Sequence, residues 1–259
     1  MEYDYEYFKA QILKITGIDL NCYKEKQMKR RIDALIQTHG IDGYRNYIEV
    51  LKSDKALFEE FISYITINVS EFYRNPEQWK YMEKDVMPEL MARFGKRLKI
   101  WSAACSTGDE PYSLVLLLSK YLPLSQIDIY ATDLDKQILE KAKTGLYTEK
   151  SIEGVPADLK EKYFTQIGQS YKVADEIKKR VKFAKQDLLK DIYPKDCNMI
   201  VCRNVVIYFT DEAKGQIFRK FYDSLLPGGV LFIGSTEQIM DYREIGFERM
   251  NSFFYRKKK

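Results

Sequence analysis

The sequence predicts an α/β protein in which a small all-helical N-terminal part precedes a larger part built on a parallel sheet. Apolar residues recur at helical spacing through the first 66 positions, which indicates amphipathic helices. From about residue 97 onward, short apolar runs of strand type alternate with helical stretches, the pattern of right-handed crossovers between parallel strands. At 259 residues, 45% of them hydrophobic and 31% charged, the chain is long enough for one large domain or for a large and a small one.

The N-terminal part, residues 1–66, divides into four predicted helices. Gly17 and Gly40 follow the first and second apolar stripes, as glycine commonly does at helix ends. Residues 67–96 form a linker and contain a further predicted helix over residues 76–93. The four helices are expected within residues 3–15, 23–36, 43–52 and 55–66.

The second part, residues 97–259, alternates strands and helices around a less regular middle. Residues 145–186 mix short apolar and charged stretches about a turn at Gly168, which predicts an inserted hairpin or a short helix with a hairpin. Residues 227–229 predict a Pro-Gly-Gly turn, and residues 247–255 predict one final antiparallel edge strand. The other predicted strands are residues 98–101, 127–131, 181–184, 199–202 and 230–233, and the predicted helices are residues 111–121, 135–144 and 211–226.

Charge and hydropathy exclude several classes of protein. The chain has 42 Lys and Arg against 38 Asp and Glu, a formal net charge of +4, and residues 256–259 supply that excess. A chain-wide basic surface for nucleic acid is therefore not expected. The longest apolar run, residues 114–118, is far too short to cross a membrane and no signal segment is evident, so a cytoplasmic protein without membrane insertion is expected.

Cysteine and histidine usage narrows the chemistry further. The four cysteines form no CxxC pair, and an intracellular chain of this size needs no disulfides, so free thiols are expected. One histidine, His39, cannot build a His-rich metal site or a multi-histidine relay, and no metal is expected. Its position before Gly40 favours a helix-end surface residue over a catalytic base.

A candidate ligand site begins where the first strand of the second part ends. Residues 102–108 are mostly small, and the helix that follows offers unpaired N–H groups at its start. Only Gly108 of a full GxGxxG pattern is present, so a pyrophosphate loop is not indicated. A tight turn without a ligand remains the alternative for this segment alone.

Acidic residues accompany this loop. Asp133, at the tip of the second strand, lies where a ribose would present its two hydroxyls. Asp135 is more naturally the N-cap of the next helix. Glu110 either satisfies the helix dipole or takes the ammonium group of a ligand. A ligand with ribose and ammonium but no pyrophosphate is indicated, and S-adenosylmethionine fits that description better than NAD does.

Two further groups of polar residues stand at candidate positions. Arg203 and Asn204 directly follow a buried strand, at the carboxyl edge where ligands of open parallel sheets bind, or they form a salt bridge and a turn. Asn68, Ser70 and Arg74 lie in the linker, where clefts commonly form, or they are an ordinary N-cap with a surface charge.

Five segments of the chain are distinctive as a set. They are Asn68-Val-Ser-Glu-Phe-Tyr-Arg74, Trp101-Ser-Ala-Ala-Cys-Ser-Thr-Gly-Asp-Glu-Pro-Tyr-Ser113, Ala131-Thr-Asp-Leu-Asp135, Cys202-Arg-Asn-Val-Val-Ile-Tyr-Phe209 and Gly234-Ser-Thr-Glu237. Together, in order and over nearly the whole chain, they closely resemble the chemotaxis receptor glutamate O-methyltransferases, the CheR family. The resemblance implies a small all-helical domain, a linker, and a Rossmann-like class I methyltransferase domain with a small β-subdomain inserted at about residues 145–186.

The resemblance also implies a cofactor, a partner and site residues. The cofactor would be S-adenosylmethionine, with S-adenosylhomocysteine as product. The partners would be chemotaxis receptors, and the enzyme would be a monomer. Ser70 stands where some members carry Thr, and Asp187 stands where members often carry Asn, near the expected adenine. Asp109 is not assigned to the ligand. The family's cofactor contacts fall on Asn68, Ser70, Arg74, Glu110, Asp133, Asp187, Leu188, Cys202, Arg203 and Asn204.

The implied reaction methylates a glutamate side chain to give a methyl ester. A free glutamate has a pKa of about 4.3, so the nucleophile is already ionised near neutral pH and needs no general base. What remains is in-line positioning and control of charge. Arg74 and Tyr208 are the candidates to orient the donor and the incoming carboxylate, whereas the alternative is that Tyr208 only packs the helix start.

A basic run within an acidic helical part is the candidate docking surface. Residues 24–31 hold five positive charges and one negative, and Lys26, Lys29 and Arg30 share one helix face. Such a run is commonly just a solvated face. The resemblance implies that this helix, with Arg31, faces the acidic methylation helices of receptors, where complementary charge aids encounter and register.

Two other functions remain open. One is a nucleic-acid methyltransferase, because residues 109–112, Asp-Glu-Pro-Tyr, superficially resemble an amino-methyltransferase motif. That motif belongs after the later strand, where Cys202 and Arg203 stand. The other is a non-catalytic sensor or adaptor that binds S-adenosylmethionine, although Tyr208 and the ligand positions argue against lost catalysis.

Overall fold

The computed structural model describes residues 2–258, so Lys259 of the basic tail lies outside the described part. The chain forms two compact units. The first contains the chain up to Asn68 together with Ile207–Gly215, and the second contains Val69–Val206 and the chain from Gln216 onward.

The first unit is all-helical, as predicted. Its core contains the fully buried Phe8, Tyr47 and Phe61. The rings of Phe8 and Phe61 meet edge to face with centroids 6.2 Å apart, a favourable geometry for aromatic pairs. Met28 and Ile32 are buried as the apolar stripe predicts. The helices are α1 (Glu2–Thr16), α2 (Glu25–Thr38), α3 (Gly43–Ser53) and α4 (Lys55–Thr66).

A later segment of the chain completes this helical unit. Tyr23 and Phe209 form an antiparallel bridge, and their ring centroids lie 4.8 Å apart. The Lys24 N–H donates to the Tyr208 carbonyl at 2.9 Å. Residues 207–215 therefore belong to the helical unit, although they follow a strand of the other unit in the chain.

The second unit opens with a helical stretch that the sequence predicted as one continuous helix. It consists of α5 (Pro76–Tyr81), a π-helical turn (Met82–Val86) and α6 (Met87–Phe94). The Met87 N–H donates to the Met82 carbonyl, five residues back. Pro88 explains the widened turn, because proline has no N–H and its ring collides with the carbonyl four residues earlier.

The remaining elements of the second unit form two sheets with surrounding helices. The helices are α7 (Asp109–Leu118), α8 (Lys136–Thr144), α9 (Ala157–Tyr163), α10 (Asp175–Lys178), α11 (Asp211–Ser224), which starts in the first unit, and α12 (Tyr242–Ile245). The strands are β1 (Ile100–Ala103), β2 (Ile129–Asp133), β3 (Leu146–Thr148), β4 (Phe164–Ile167), β5 (Ser170–Val173), β6 (Val181–Lys185), β7 (Cys197–Cys202), β8 (Leu225–Ile233), β9 (Phe247–Arg249) and β10 (Phe254–Lys257).

The large sheet has seven strands in the order β6-β2-β1-β7-β8-β10-β9. The first five are parallel, which confirms the α/β prediction. Every residue of β1 and β7 is buried, as expected for the centre of a sheet with helices on both faces. The small sheet, β3-β5-β4, is antiparallel and lies within the inserted segment, with the predicted hairpin formed by β4 and β5.

Two local predictions are wrong in detail. The tail forms two strands rather than one, because the Asn251 side chain accepts hydrogen bonds from the Phe253 and Phe254 N–H groups and turns the chain between β9 and β10. Residues 227–229 lie inside β8 rather than before it. The register of β8 on β7 jumps there, so Pro227 and the glycines form a bulge in a continuing strand.

Within residues 2–258, no helix combines the length and the apolar character needed to cross a membrane.

Candidate functional site

The candidate site lies at the carboxyl edge of the parallel strands in the second unit. The strand order places the ends of β6, β2, β1 and β7 side by side along this edge. The residues that follow these strands are Gln186, Asp133 at the tip of β2, the loop at residues 104–108, and Arg203 with Asn204. Ligands of open parallel sheets bind at this edge.

The loop after β1 turns sharply and lies close to its neighbours. Ala104, Ser106 and Gly108 all have positive φ angles, between 51° and 90°. A side chain at Gly108 would lie 3.0 Å from the Ala142 Cβ and 3.1 Å from the Tyr147 hydroxyl, so glycine is required there.

Asp133 fixes this loop to the tip of β2. Its Oδ2 accepts from the Ser106 N–H at 2.8 Å, and its Oδ1 accepts from the Asp135 N–H at 3.0 Å. Each oxygen keeps a lone pair that can accept a ligand hydroxyl. Burial raises the pKa of Asp133 to about 6. Asp135 is the N-cap of α8, as predicted, and accepts from the Gln137 and Ile138 N–H groups.

Glu110 is a second buried acid at this edge. Its Oε1 accepts from the Ser102 hydroxyl at 2.8 Å, and its Oε2 lies 3.8 Å from Arg203 Nη1. Burial raises its pKa to about 7, while Arg203 and Ser102 act in the opposite direction. A buried carboxylate whose negative charge is only partly balanced by a neighbouring arginine is suited to binding a cationic group.

Arg203 holds the segment that carries Arg74. Its Nη2 donates to the Arg74 carbonyl at 2.7 Å, to Asn75 Oδ1 at 3.0 Å and to Gln78 Oε1 at 2.9 Å. Its guanidinium also stacks on the Phe232 ring, 4.6 Å from the centroid. These contacts give Arg203 a positioning role in addition to its salt bridge with Glu110.

Glu237 organises the end of β7 and was given no role by sequence reasoning. Its carboxylate accepts from the N–H groups of Asn204, Val205, Val206 and Gly234, at 2.6–3.0 Å. The signal available in the sequence was its place in the segment at residues 234–237. A side chain at Gly234 would lie 2.7 Å from both the Asn204 nitrogen and the Glu237 carboxylate, so the turn requires glycine.

Asp109 joins three separate segments around the loop. It is fully buried and accepts hydrogen bonds from the Thr107 and Ser151 hydroxyls, and Ser70 is a further hydrogen-bonding neighbour. Burial raises its pKa. Ser151 belongs to the inserted segment, where Tyr147 also donates its hydroxyl to the Thr107 carbonyl at 2.6 Å. The insertion therefore stabilises the loop at residues 104–108. The hydrogen bonds of Asp109 hold this loop in place and are not directed to a ligand.

Other predicted cofactor residues occupy varied environments. Asp187 lies in a self-contained turn, where its Oδ1 accepts from the Leu189 N–H at 2.8 Å. The Leu188 side chain is buried, and its carbonyl accepts from the Tyr193 hydroxyl and from Lys220. Cys202 is buried at the end of β7.

The two proposed catalytic residues fall in different units. Arg74, in the second unit, is half-buried, and its Nη1 donates to the Val69 carbonyl at 3.2 Å. Among the described residues it has no ion-pair partner within 4.0 Å. Tyr208 is half-buried in the first unit. Asn68, also in the first unit, donates its amide to the Thr66 hydroxyl at 2.9 Å.

The basic face of α2 separates into free and bound charges. Lys26 and Arg30 are exposed, and neither has an ion-pair partner in the part of the chain that the structure describes. Lys29 pairs with Asp33 at 3.0 Å. Arg31 donates to the Tyr64 carbonyl at 2.6 Å and stacks on its ring, so it helps to hold α2 against α4.

The residues at the sheet edge fit S-adenosylmethionine. Three buried polar atoms here, Ser106 Oγ, Gln186 Oε1 and Asn204 Oδ1, have no hydrogen-bond partner among residues 2–258. Buried polar atoms are rarely left unpaired, so these atoms indicate a polar ligand. The acids at positions 133 and 110 match ribose hydroxyls and an ammonium group, respectively. No group of three or more His, Cys, Asp or Glu side chains placed to hold a metal occurs within the described chain.

Comparison with known proteins identifies the family of the chain. Residues 68–254 match the family described as CheR methyltransferase, SAM binding domain, and residues 3–66 match the CheR methyltransferase all-alpha domain. The chain belongs to the CheR methyltransferase family. It is 44% identical over 255 residues to the chemotaxis protein methyltransferase of Listeria innocua, covering 98% of this chain and 97% of that protein.

More distant CheR relatives align over similar lengths. Chemotaxis protein methyltransferase 1 of Pseudomonas aeruginosa is 33% identical over 248 residues, which covers 91% of this chain and 90% of the relative. The border between the two CheR matches, at residues 66–68, coincides with the end of α4. The chain is therefore a methyltransferase with an S-adenosylmethionine-binding domain.

Proposed function

We propose that this protein transfers a methyl group from S-adenosylmethionine to the side-chain carboxylates of specific glutamates in the cytoplasmic helices of chemotaxis receptors. The products are glutamate methyl esters and S-adenosylhomocysteine. We further propose that the enzyme acts in the cytoplasm as a monomer, without a metal ion.

The observation that carries this proposal is the pair of buried acids, Asp133 and Glu110, at the carboxyl edge of the sheet. Both have pKa values raised by burial, to about 6 and about 7. Such perturbed acids in a ligand-binding position are typical of functional sites. The near full-length similarity to proteins named chemotaxis protein methyltransferases supports the receptor as the substrate.

The residues of the sheet edge bind and orient the methyl donor. Asp133 accepts hydrogen bonds from the ribose hydroxyls, and Glu110 pairs with the ammonium group of the methionyl end. Ser70, Leu188 and Cys202 border the same ligand, with Asn68, Asp187 and Asn204 as further contacts. When bound, S-adenosylmethionine supplies a methyl group on a sulfonium, and its transfer to a carboxylate oxygen leaves the carbon–sulfur electron pair on sulfur.

The acceptor glutamate needs orientation rather than deprotonation. Its carboxylate is ionised near neutral pH, because a glutamate pKa is about 4.3. Arg74, which has no carboxylate partner of its own among the described residues, attracts and orients the incoming carboxylate. Tyr208 contributes a hydroxyl to the same positioning. Both residues act by orienting the reacting groups and by electrostatic stabilisation, which account for most of the rate enhancement of such a transfer.

The exposed basic residues of α2 are the proposed receptor-docking surface. Lys26 and Arg30 are available to bind an acidic helix. Lys29 and Arg31 add positive charge to the same surface, although each also has a partner within the helical unit, Asp33 and the Tyr64 carbonyl, respectively. Complementary charges increase the rate of encounter and fix the register of binding.

One experiment tests the function against its alternatives. The protein is incubated with S-adenosylmethionine labelled in the methyl group and with either receptor cytoplasmic fragments or RNA, and the product is treated with mild base. We expect label on the receptor that is released as methanol, because carboxyl methyl esters hydrolyse under these conditions and methylated bases do not. Label on RNA would support a nucleic-acid methyltransferase, and label on neither would support a non-catalytic sensor.

A further inference from the structure

The chain bends sharply on both sides of Arg74, the residue proposed to orient the acceptor carboxylate. Tyr73 and Asn75 have φ angles of 51° and 61°, in the left-handed region. Asparagine tolerates this conformation, but for a bulky residue such as Tyr73 it is an energetically costly outlier. Such strain persists only where surrounding contacts hold it, and it is concentrated at functional sites.

Hydrogen bonds restrain the backbone both before and after Arg74. The Tyr73 N–H donates to Ser113 Oγ at 3.1 Å. The Arg74 carbonyl accepts from two side chains, Trp79 Nε1 at 3.0 Å and Arg203 Nη2 at 2.7 Å. The Arg74 carbonyl is therefore the group through which neighbouring side chains control this bend.

The bond from Arg203 is shared among several acceptors. Its Nη2 carries two hydrogens and has three acceptors within 3.0 Å, which are the Arg74 carbonyl, Asn75 Oδ1 and Gln78 Oε1. At least one of these hydrogens is thus divided between two acceptors. By contrast, Trp79 Nε1 has one hydrogen and donates it to the Arg74 carbonyl.

Packing holds the Trp79 indole in place. Trp79 lies in α5, which begins directly after the bend, and its side chain is only 3% exposed. The centroid of its ring lies 5.1 Å from that of Tyr73 and 6.2 Å from that of Phe232, which it meets edge to face. A buried tryptophan N–H needs an acceptor, and here the acceptor is the backbone of Arg74.

The Arg74 side chain retains capacity for a ligand. Its Nη1 donates to the Val69 carbonyl at 3.2 Å. A guanidinium has five N–H donors, so this bond leaves others for an incoming carboxylate. The direction in which those donors point depends on the backbone from which the side chain extends.

We propose that Trp79 is a positioning residue for methyl transfer, whose indole N–H holds the Arg74 backbone so that the guanidinium is presented to the acceptor carboxylate. This inference rests on the proposed function, in which Arg74 orients that carboxylate. Preorganised donors increase the rate because they need no rearrangement during the reaction. The alternative is that Trp79 only packs the core.

The kinetic test removes the indole N–H and keeps the packing. Replacement of Trp79 by 3-benzothienylalanine exchanges the N–H for sulfur with almost no change of volume, and Trp79→Phe removes the same donor by ordinary mutagenesis. We expect kcat for receptor methylation, at saturating S-adenosylmethionine, to fall about five- to tenfold. In an Arg74→Ala background, the same replacement should change the single-turnover rate by less than about twofold, because Trp79 acts through the Arg74 guanidinium.

Trp101→Phe is the matched control. Trp101 is the other tryptophan of the chain, is fully buried and donates its Nε1 to Thr132 Oγ1 at 2.9 Å. Its replacement also removes a buried indole N–H, but one that is bonded to β2 rather than to Arg74. Any loss of rate in Trp101→Phe should therefore be the same in the wild-type and Arg74→Ala backgrounds. Thermal unfolding of each variant checks that the fold is retained.

Nuclear magnetic resonance tests the same inference without a receptor. In the protein labelled with 15N, the Nε–H signal of Arg74 is assigned by its loss in Arg74→Lys, and its relaxation reports the order of the side chain. We expect the order parameter to fall by about 0.2 or more when the Trp79 donor is removed, and to stay unchanged in Trp101→Phe.

The possible outcomes separate this proposal from the function. Wild-type kcat without the Trp79 donor, an equal loss of rate in both backgrounds, or an unchanged order parameter for Arg74 would each overturn the role of Trp79. A wild-type protein that does not methylate receptors would contradict the proposed function. The order parameter would then still decide whether Trp79 holds Arg74.

Discussion

Glu110 illustrates how burial changes the ionisation of a single residue at the candidate site. Removal from water raises its pKa to about 7, and Arg203, 3.8 Å away, only partly offsets this effect. The group therefore titrates in the physiological range, although an exposed glutamate would not. An incoming ammonium group would stabilise the ionised form.

Cofactor affinity should consequently depend on pH. Between pH 8 and pH 6 a carboxyl with a pKa of about 7 goes from mostly ionised to mostly protonated, so we expect the Kd of S-adenosylhomocysteine to rise about five- to tenfold. Glu110→Gln should bind more weakly at pH 8 and show a flatter profile, with a residual slope near pH 6 from Asp133. Calorimetry across this range measures both, and parallel profiles for the two proteins would contradict the role of Glu110.

The stability of the ligand-free protein should change in the opposite sense. The pKa of Glu110 is higher in the folded than in the unfolded protein, so between about pH 4.5 and pH 7 the folded state binds more protons. The free energy of unfolding should therefore increase as the pH falls from 8 towards 6. Urea midpoints test this expectation, and Glu110→Gln should reduce the increase without abolishing it, because Asp109, Asp133 and Glu237 shift in the same direction.

Two substitutions distinguish orientation from binding. Tyr208→Phe should lower turnover more than cofactor affinity, since it removes only a hydroxyl proposed to orient the reacting groups. Asp133→Ala should mainly weaken cofactor binding, because it removes the proposed acceptor for the ribose. Initial rates combined with calorimetry give both quantities, and a Tyr208→Phe enzyme with wild-type turnover would remove that tyrosine from the mechanism.

At the scale of elements, the candidate site depends on how strand ends are held together. Glu237 binds N–H groups from the end of β7 and the end of β8, so a single carboxylate joins two neighbouring elements. Asp109 joins the loop after β1 to Ser151 of the insertion in a similar way. The loops at this edge are therefore held in place by hydrogen bonds to buried carboxylates.

Replacement of Glu237 should show this dependence. In Glu237→Gln one oxygen becomes an amide donor that faces N–H groups, so at least one buried donor loses its acceptor, at a cost of about 2–4 kcal/mol in unfolding free energy. The exposed Glu244→Gln on α12 is the matched control and should cost less than about 0.5 kcal/mol. Denaturant unfolding compares the two, and equal midpoints would show that the carboxylate contributes nothing specific.

The elements also show where sequence patterns predict well. Strands β1, β2, β6 and β7 overlap their predicted segments, because runs of apolar residues between turns suffice to identify buried parallel strands. The tail was predicted as one strand because its apolar alternation is continuous. The turn between β9 and β10 depends on the side-chain hydrogen bonds of Asn251, which no periodicity records.

At the scale of the whole molecule, the net charge of +4 conceals a local concentration of positive charge on α2. In the structure, some of the basic residues on α2 have hydrogen-bond or ion-pair partners and others do not. Lys26 and Arg30 are exposed and unpaired among the described residues, whereas Arg31 is bound to Tyr64. A substitution at Arg31 would therefore disturb the packing of the helical unit as well as any docking.

The double variant Lys26→Glu/Arg30→Glu is the sharper test of docking. It should reduce receptor methylation at least about tenfold at low ionic strength, less at high salt, and leave the Kd of S-adenosylhomocysteine unchanged. A control with the same change of charge is Lys14→Glu/Lys55→Glu, at exposed positions on α1 and α4. Methylation that is equal in both double variants would exclude the α2 face as the docking surface.

The sequence by itself determined the fold class, the two-part organisation and the family. Helical and strand periodicity are local properties of the chain, and five short segments carry the family resemblance. It also predicted the acids at positions 110 and 133 as site residues, because Asp133 ends a recognisable strand and Glu110 opens a helix.

Only the tertiary structure decided which side chains are paired and which remain free. It assigned residues 207–215, with Tyr208, to the helical unit, and it engaged Arg203 and Glu237 in holding the segments around the site. It also left Gln186 Oε1 without a partner among the described residues. The physical reason is that hydrogen bonding and burial depend on neighbours distant in sequence, whereas composition and periodicity report only neighbours along the chain.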